Sequence, residues 1–170
     1  MDVDMDVVIG LGGNLGDPAA TLVAAVRELA HLGPVVAVSS LYRTDAVGPP
    51  QPDYLNAAVR VQVEGTPREL LDGLLAIERR FGRVRTERWA PRTLDLDVLW
   101  IAGVAVDEPE LVVPHPRLAE RRFALVPLLE VAPDARDPES GAPLGGWLEV
   151  LPEGGIRRIR GPEWASPEQT

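Results

Sequence analysis

The sequence predicts an α+β domain in which helices pack on a mainly antiparallel sheet, with a C-terminal extension beyond it. Three observations carry this. Short segments with strand patterns alternate with helical stripes in the order β-α-β-β-α-β. The two helical stretches have clear start and stop signals. Two strand patterns stand next to each other between them, which is the ferredoxin-like signature.

Asp6 to Gly12 reads as a short buried strand. Asp17 follows as an N-cap with Pro18 at the first helical position. The helix runs to about Leu32, with Leu22, Val26 and Leu29 on one stripe, and Gly33-Pro34 stops it. Val35 to Tyr42 is the second strand, and Thr44 to Pro52 is a Gly- and Pro-rich loop. Tyr54 to Val63 is the third strand, with Leu55, Ala57, Val59, Val61 and Val63 at period two. Thr66-Pro67-Arg68-Glu69 is a capping box that opens the second helix, and Gly82 closes it. Arg83 to Thr93 is a polar loop, Leu94 to Ile101 the fourth strand, and Gly103 turns the chain into Val104–Val106.

A further helix is expected over Arg117 to Leu129, with its end blurred by Pro127. Residues 133–155 read as irregular, with Gly145 to Leu151 weakly helical, and Ile156 to Arg160 as a last edge strand. One domain over residues 1–160 is expected, with 161–170 a disordered tail.

Composition narrows the chemistry. Of 170 residues, 45% are hydrophobic and 25% charged, the balance of a soluble globular protein. No apolar run approaches the roughly 20 residues that span a bilayer. The acidic start, Met1 to Asp6, lacks the basic opening of a secretory signal, so the cytoplasm is the expected location. There is no cysteine, which excludes disulfides, thiolate nucleophiles and Cys-ligated metals. Every basic residue is an arginine, so P-loop and Schiff-base lysines are excluded as well. With only His31 and His115 available, a metal ion must be held largely by carboxylate oxygen, which favours magnesium, calcium or manganese.

The net charge of −9 opposes nucleic-acid binding, yet it is unevenly placed. From Arg79 to Arg92 six arginines face one acid, so this segment carries +5 and the remainder −14. A compact cationic island on an acidic protein suits a small polyanion. A solvated arginine-rich helix end is the bland alternative.

Three motifs carry the chemistry. Gly10-Leu11-Gly12-Gly13-Asn14-Leu15-Gly16 follows a strand, but its sixth position is Leu15, not the glycine that a dinucleotide fingerprint requires. It reads instead as a tight strand-to-helix turn near a substrate. In Leu94-Asp95-Leu96-Asp97-Val98 the two acids project from one strand face, with Cα atoms roughly 6.6 Å apart. Such a pair can flank paired metal ions in phosphoryl transfer. It can equally be a solvent-facing strand side whose acids meet surface arginines. The acid pair follows the arginine loop directly, and magnesium takes one or two carboxylates plus phosphate oxygens. The guanidinium fork matches phosphate. Together these point to nucleotide phosphoryl chemistry without a P-loop. Finally, Tyr54, Trp89 and Phe123 lie beside polar loops and can stack a flat heterocycle, with Asn56 as donor and acceptor. His115, between two prolines, can serve a phosphate, a ribose or a backbone carbonyl.

These residues resemble a known family. Tyr42-Arg43-Thr44, Gln51-Pro52-Asp53-Tyr54-Leu55-Asn56, Gly82-Arg83-Val84-Arg85, Arg88-Trp89-Ala90-Pro91-Arg92-Thr93-Leu94-Asp95-Leu96-Asp97, Val113-Pro114-His115 and Arg121-Arg122-Phe123 occur in the order found in the 6-hydroxymethyl-7,8-dihydropterin pyrophosphokinases of folate biosynthesis. The resemblance spans about Val7 to Pro133. It implies transfer of the β,γ-pyrophosphoryl unit of ATP to the pterin hydroxymethyl group, with release of AMP. It further implies that Asp95 and Asp97 hold two Mg²⁺ ions and that Arg83 and Arg92 are catalytic on the triphosphate. Glu78, Arg85, Arg88, Trp89, His115 and Arg121 would serve ATP. Thr44, Val47, Tyr54, Asn56 and Phe123 would hold the pterin. A monomer acting on small molecules, away from membranes and nucleic acid, is expected. The competing reading is a non-catalytic ferredoxin-like module that binds a nucleotide or small anion. Pro116, Val112, Leu75 and Asp45-Ala46 depart from the family pattern, outside the metal and arginine positions.

Overall fold

A computed structural model of the chain describes residues 4–14, 16–45, 53–81 and 94–166. The elements in chain order are β1 (Met5–Gly13), α1 (Pro18–Leu29), β2 (Val35–Val38), β3 (Leu41–Thr44), β4 (Tyr54–Val63), α2 (Pro67–Arg80) and β5 (Asp95–Ile101). After these come β6 (Val106–Glu108), β7 (Leu111–Val113), α3 (Arg122–Val131), α4 (Gly145–Glu149) and β8 (Ile156–Arg160), with 3₁₀ turns at Leu118–Glu120 and Pro162–Ala165.

The main sheet runs β5-β1-β4-β3-β8, with β2 also paired to β4, and every pairing is antiparallel. Counting β2 and β3 as one interrupted strand, this is the ferredoxin-like order expected from the sequence, extended at one edge by β8. The caps form as their residues dictate. Asp17 accepts the Ala20 N–H at 3.1 Å. Thr66 and Glu69 exchange their bonds at 3.1 and 3.0 Å, a complete capping box. Burial at period two then divides the sheet. Val7, Ile9, Val59, Val61, Leu96 and Val98 face α1 and α2, whereas Val8, Ala58, Leu99 and Trp100 face α3.

Several expectations are corrected. The second strand is not continuous. Val38 pairs with Val59 and Tyr42 with Asn56, so one extra residue is inserted at Ser39-Ser40. The Ser39 hydroxyl accepts the Ala58 N–H at 2.8 Å, satisfying the ladder where it breaks. The extra residue keeps Leu41 in the α1/α2 core and turns Tyr42 and Thr44 towards α3. A second irregularity, between Val8 and Ile9 on β1, lets both Leu99 and Trp100 face α3. Gly10 and Gly12 lie within β1, not in a turn. The turn comes later, where Gly16 has φ +66°, a conformation that suits glycine.

Helices cover both sheet faces, because α3 packs opposite α1 and α2. The helix expected from Arg117 begins instead at Arg122, after the 3₁₀ turn, and accommodates Pro127. Val106–Glu108 and Leu111–Val113 form a small hairpin that the sequence reading did not resolve as two strands. Gly161–Ser166 belongs to the fold and is not a disordered tail. Trp164 is buried and its indole N–H donates to Ser39 O at 2.7 Å. No helix among the described residues is long and apolar enough to cross a membrane.

Candidate active site

On the α3-facing side of the sheet, α3 packs on Val8, Ala58, Leu99 and Trp100, and the expected site residues lie further along the same strands. On β5, Leu96 and Val98 are drawn into the α1/α2 core, so alternation sends Asp95 and Asp97 to the opposite face. Asp95 is half-buried and Asp97 exposed. Opposite each acid on β1 stands a glycine: Gly12 faces Asp95 and Gly10 faces Asp97. No β1 side chain therefore rises between the acids and the next strand. Among the described residues no group of three His, Asp or Glu could surround a metal ion. The pair offers carboxylate oxygen and leaves further coordination positions to phosphate and water, a donor set that fits magnesium.

The far edge of β5 is fixed from α2. Glu78, almost wholly buried, accepts the Leu96 N–H on Oε2 at 2.7 Å, between the two acids. The resemblance assigns Glu78 to the nucleotide, and the structure places its carboxylate against the β5 backbone. A backbone donor at a sheet edge would otherwise lack a ladder partner.

On the next strands, Gly12 pairs with Asn56, Asn56 with Tyr42, and Tyr54 with Thr44. Asn56 and Thr44 are both buried, and Asn56 Nδ2 donates to Thr44 Oγ1 at 2.7 Å. Asn56 Oδ1 lies over Gly12, where a Cβ would come within 2.8 Å of it. Gly12 is thus required by close approach, and it leaves the carboxamide directly across from Asp95. Tyr54 is half-buried at the end of the same ladder.

The third side comes from the segment between β7 and α3. The His115 N–H donates to Leu99 O at 3.0 Å, which ties this residue to β5. His115 Nδ1 accepts the Arg117 N–H at 3.3 Å, so the neutral ring carries its proton on Nε2. Burial, then the positive charges of Arg121 and Arg117, push the His115 pKa down. The Arg121 guanidinium lies 5.6 Å from the centre of the Phe123 ring, within cation–π range. Phe123 itself is 39% exposed at the start of α3, unusual for a large aromatic.

The structure therefore brings Asp95, Asp97, Asn56, Thr44 and Tyr54 onto one sheet face, with His115, Arg121 and Phe123 on the segment that borders it. Val47, Arg83, Arg85, Arg88, Trp89 and Arg92 lie outside the described residues. The sequence reading passed over Gly12 as the partner of Asn56 and Glu130 as a structural acid. The latter had one signal, an acid set in the apolar run Val126 to Val131.

Known proteins match most of the chain. Residues 8–133 match the family model described as 7,8-dihydro-6-hydroxymethylpterin-pyrophosphokinase (HPPK). A protein from Synechocystis named 2-amino-4-hydroxy-6-hydroxymethyldihydropteridine pyrophosphokinase is 50% identical over 136 residues, covering 79% of this chain and 70% of its own length. One of the same name from Pseudomonas aeruginosa is 42% identical over 158 residues, covering 91% and 97%. Among solved structures, a Plasmodium falciparum HPPK-DHPS triple mutant with SDX-DHP superposes with a TM-score of 0.70 at 13% identity. That match covers 93% of this chain and 45% of the longer Plasmodium chain, and it supports the fold alone. On the family match and these relatives, the chain belongs to the 7,8-dihydro-6-hydroxymethylpterin-pyrophosphokinase (HPPK) family.

Proposed function

We infer that this chain transfers pyrophosphate from ATP to the hydroxymethyl group of 6-hydroxymethyl-7,8-dihydropterin, releasing AMP, in folate biosynthesis. The observation that carries this reading is the shared face. The acid pair and the Asn56–Thr44 pair stand on one side of the sheet, with Gly12 as the one residue between Asp95 and Asn56. One ligand can thus meet a hydrogen-bonding pocket at one end and carboxylates at the other.

Asn56, held by Thr44, reads the polar edge of the pterin, with Tyr54 and Phe123 as stacking surfaces and Val47 in the adjoining loop. The hydroxymethyl oxygen attacks the β-phosphorus, the bond from that phosphorus to the α,β-bridging oxygen breaks, and AMP departs. Asp95 and Asp97 would hold two Mg²⁺ ions, which when bound neutralise triphosphate charge and align its oxygens. Arg83 and Arg92 stabilise the charge developing on the transferred group, assisted by Arg85, Arg88 and Arg121, with Trp89 beside the nucleotide and Glu78 acting only through the β5 backbone it holds. His115 donates from Nε2, the nitrogen left with the proton when Nδ1 accepts the Arg117 N–H. The chain works as a monomeric single domain.

A non-catalytic anion-binding module has no use for two strand carboxylates opposite two glycines. Product analysis separates the readings. Incubation with ATP, Mg²⁺ and the hydroxymethyl dihydropterin gives AMP stoichiometric with pterin consumed. ADP in its place would mark an ordinary kinase, and unchanged ATP a binding module.

A further inference from the structure

Glu130 lies on α3, outside the residues assigned to either substrate, yet its carboxylate accepts three hydrogen bonds from the second strand region. Its Oε1 accepts both the Ser40 N–H and the Tyr42 hydroxyl, each at 2.8 Å, and its Oε2 accepts the Ser40 hydroxyl at 2.7 Å. Two of the donors are on Ser40, where the second strand is broken, and the third is on Tyr42 in β3. Ser40 is fully buried and Tyr42 nearly so.

Two alignments connect this junction to the pocket. Along the strand, Tyr42 and Thr44 alternate onto the same face, and Tyr42 pairs directly with Asn56. Glu130 therefore holds one residue of this run while Asn56 holds the next but one, Thr44, at 2.7 Å. Along the helix, Glu130 follows Phe123 by seven residues, close to two full turns, so both project from the same side of α3. The carboxylate thus fixes how α3 is rotated against β3, and with it where the exposed Phe123 ring stands. The end of α3 near Glu130 is also pinned where Arg60 Nη1 donates to Val131 O at 3.1 Å. No comparable side-chain bond among the described residues ties Phe123 or Arg121 to the sheet.

We propose that Glu130 is a positioning residue for pterin recognition, locking α3 to β3 so that Phe123 and the Asn56–Thr44 pair keep a fixed separation. The proposal rests on the reading that those residues hold the pterin. Only a carboxylate can accept all three bonds. In Glu130→Gln one oxygen becomes an NH₂ group, which cannot accept, so either the two donors on one oxygen lose their acceptor or the Ser40 hydroxyl must turn from donor to acceptor, and the present geometry is lost. The shape of the side chain and most of its packing survive.

The test measures binding of the hydroxymethyl dihydropterin in the presence of Mg²⁺ and a non-hydrolysable ATP analogue, together with the analogue's own Kd and thermal unfolding. Glu130→Gln should raise the pterin Kd about tenfold, with the analogue's Kd changed less than about twofold. Tyr42→Phe, which removes one of the three donors and keeps the ring, should raise the pterin Kd about threefold in the same selective way. Asn56→Ala is the reference and should weaken the pterin at least as much as Glu130→Gln. If Asn56→Ala weakens the pterin but Glu130→Gln and Tyr42→Phe only lower Tm, Glu130 is merely structural and the proposal is wrong. If Asn56→Ala leaves the pterin Kd unchanged, the pocket assignment itself fails, and this proposal fails with it. Equal weakening of both ligands by Glu130→Gln would also overturn it.

Discussion

Glu78 and Leu96 are joined by a 2.7 Å hydrogen bond that runs from the β5 backbone into a buried carboxylate on α2. Leu96 is the residue between Asp95 and Asp97, so this bond sets the strand from which both acids project. Glu78→Ala strands a buried N–H, and a loss of about 1–3 kcal/mol in chemical denaturation is expected. AMP formation should fall alongside. Glu78→Gln, whose amide oxygen still accepts, should recover much of the stability. Equal destabilisation by both variants would show that the Leu96 bond is not what matters.

Asp97 is exposed, and its removal should cost chemistry rather than folding. Asp97→Ala is expected to reduce AMP release by about 100-fold or more while Tm stays within a few degrees of the parent. Activity within a few-fold of the parent would remove the acid pair from the metal site.

Gly12→Ala places a methyl group 2.8 Å from Asn56 Oδ1, closer than real Cβ contacts come. The carboxamide must shift, disturbing its bond to Thr44. A rise of about tenfold in pterin KM is expected, with ATP KM little changed. A matching rise for both substrates would argue for general damage to β1.

His115 gives a pH signature. Burial, reinforced by Arg121 and Arg117, holds its pKa below the ordinary histidine value of about 6.5. Below that pH the unfolded chain binds the proton more readily than the folded one, so stability rises with pH through this window. It is complete above about pH 6.5 and is lost as pH falls. The denaturation midpoint should be higher at pH 7.5 than at pH 5.5, and His115→Gln should flatten that difference. An undiminished slope in the variant would assign it to other groups.

Tyr42 reports at the other extreme. Burial, then its hydrogen bond and proximity to Glu130, raise its pKa to about 12. A raised phenol contributes stability that is whole below about pH 10 and disappears as pH climbs through about 12. Alkaline unfolding of Tyr42→Phe should lack that component.

How much of this was legible in the sequence depends on the range of the interaction. The capping box, the proline starts and the alternation that sends Leu55, Ala57, Val59, Val61 and Val63 of β4 into one core are local, and the structure carries them as read. The acid pair was readable for the same reason, since alternation alone puts Asp95 and Asp97 on one face. The break at Ser39-Ser40 was not, because it is held by Ala58 and Glu130, the second 90 residues away. The fate of the last segment was hidden likewise: Trp164 is held by Ser39, 125 residues earlier. The glycines of β1 misled for a related reason. They look like a turn locally, and only the packing of Asn56 and Leu99 across them explains their lack of side chains inside a strand.

The central claim is that one face of this sheet moves two phosphoryl groups together from ATP to the pterin. The most direct measurement uses ATP labelled with ³²P at the β position, with Mg²⁺ and the hydroxymethyl dihydropterin. The account predicts that the label appears on the pterin product and that the nucleotide product is unlabelled AMP. Label retained in ADP would show transfer of the terminal group alone and would contradict it.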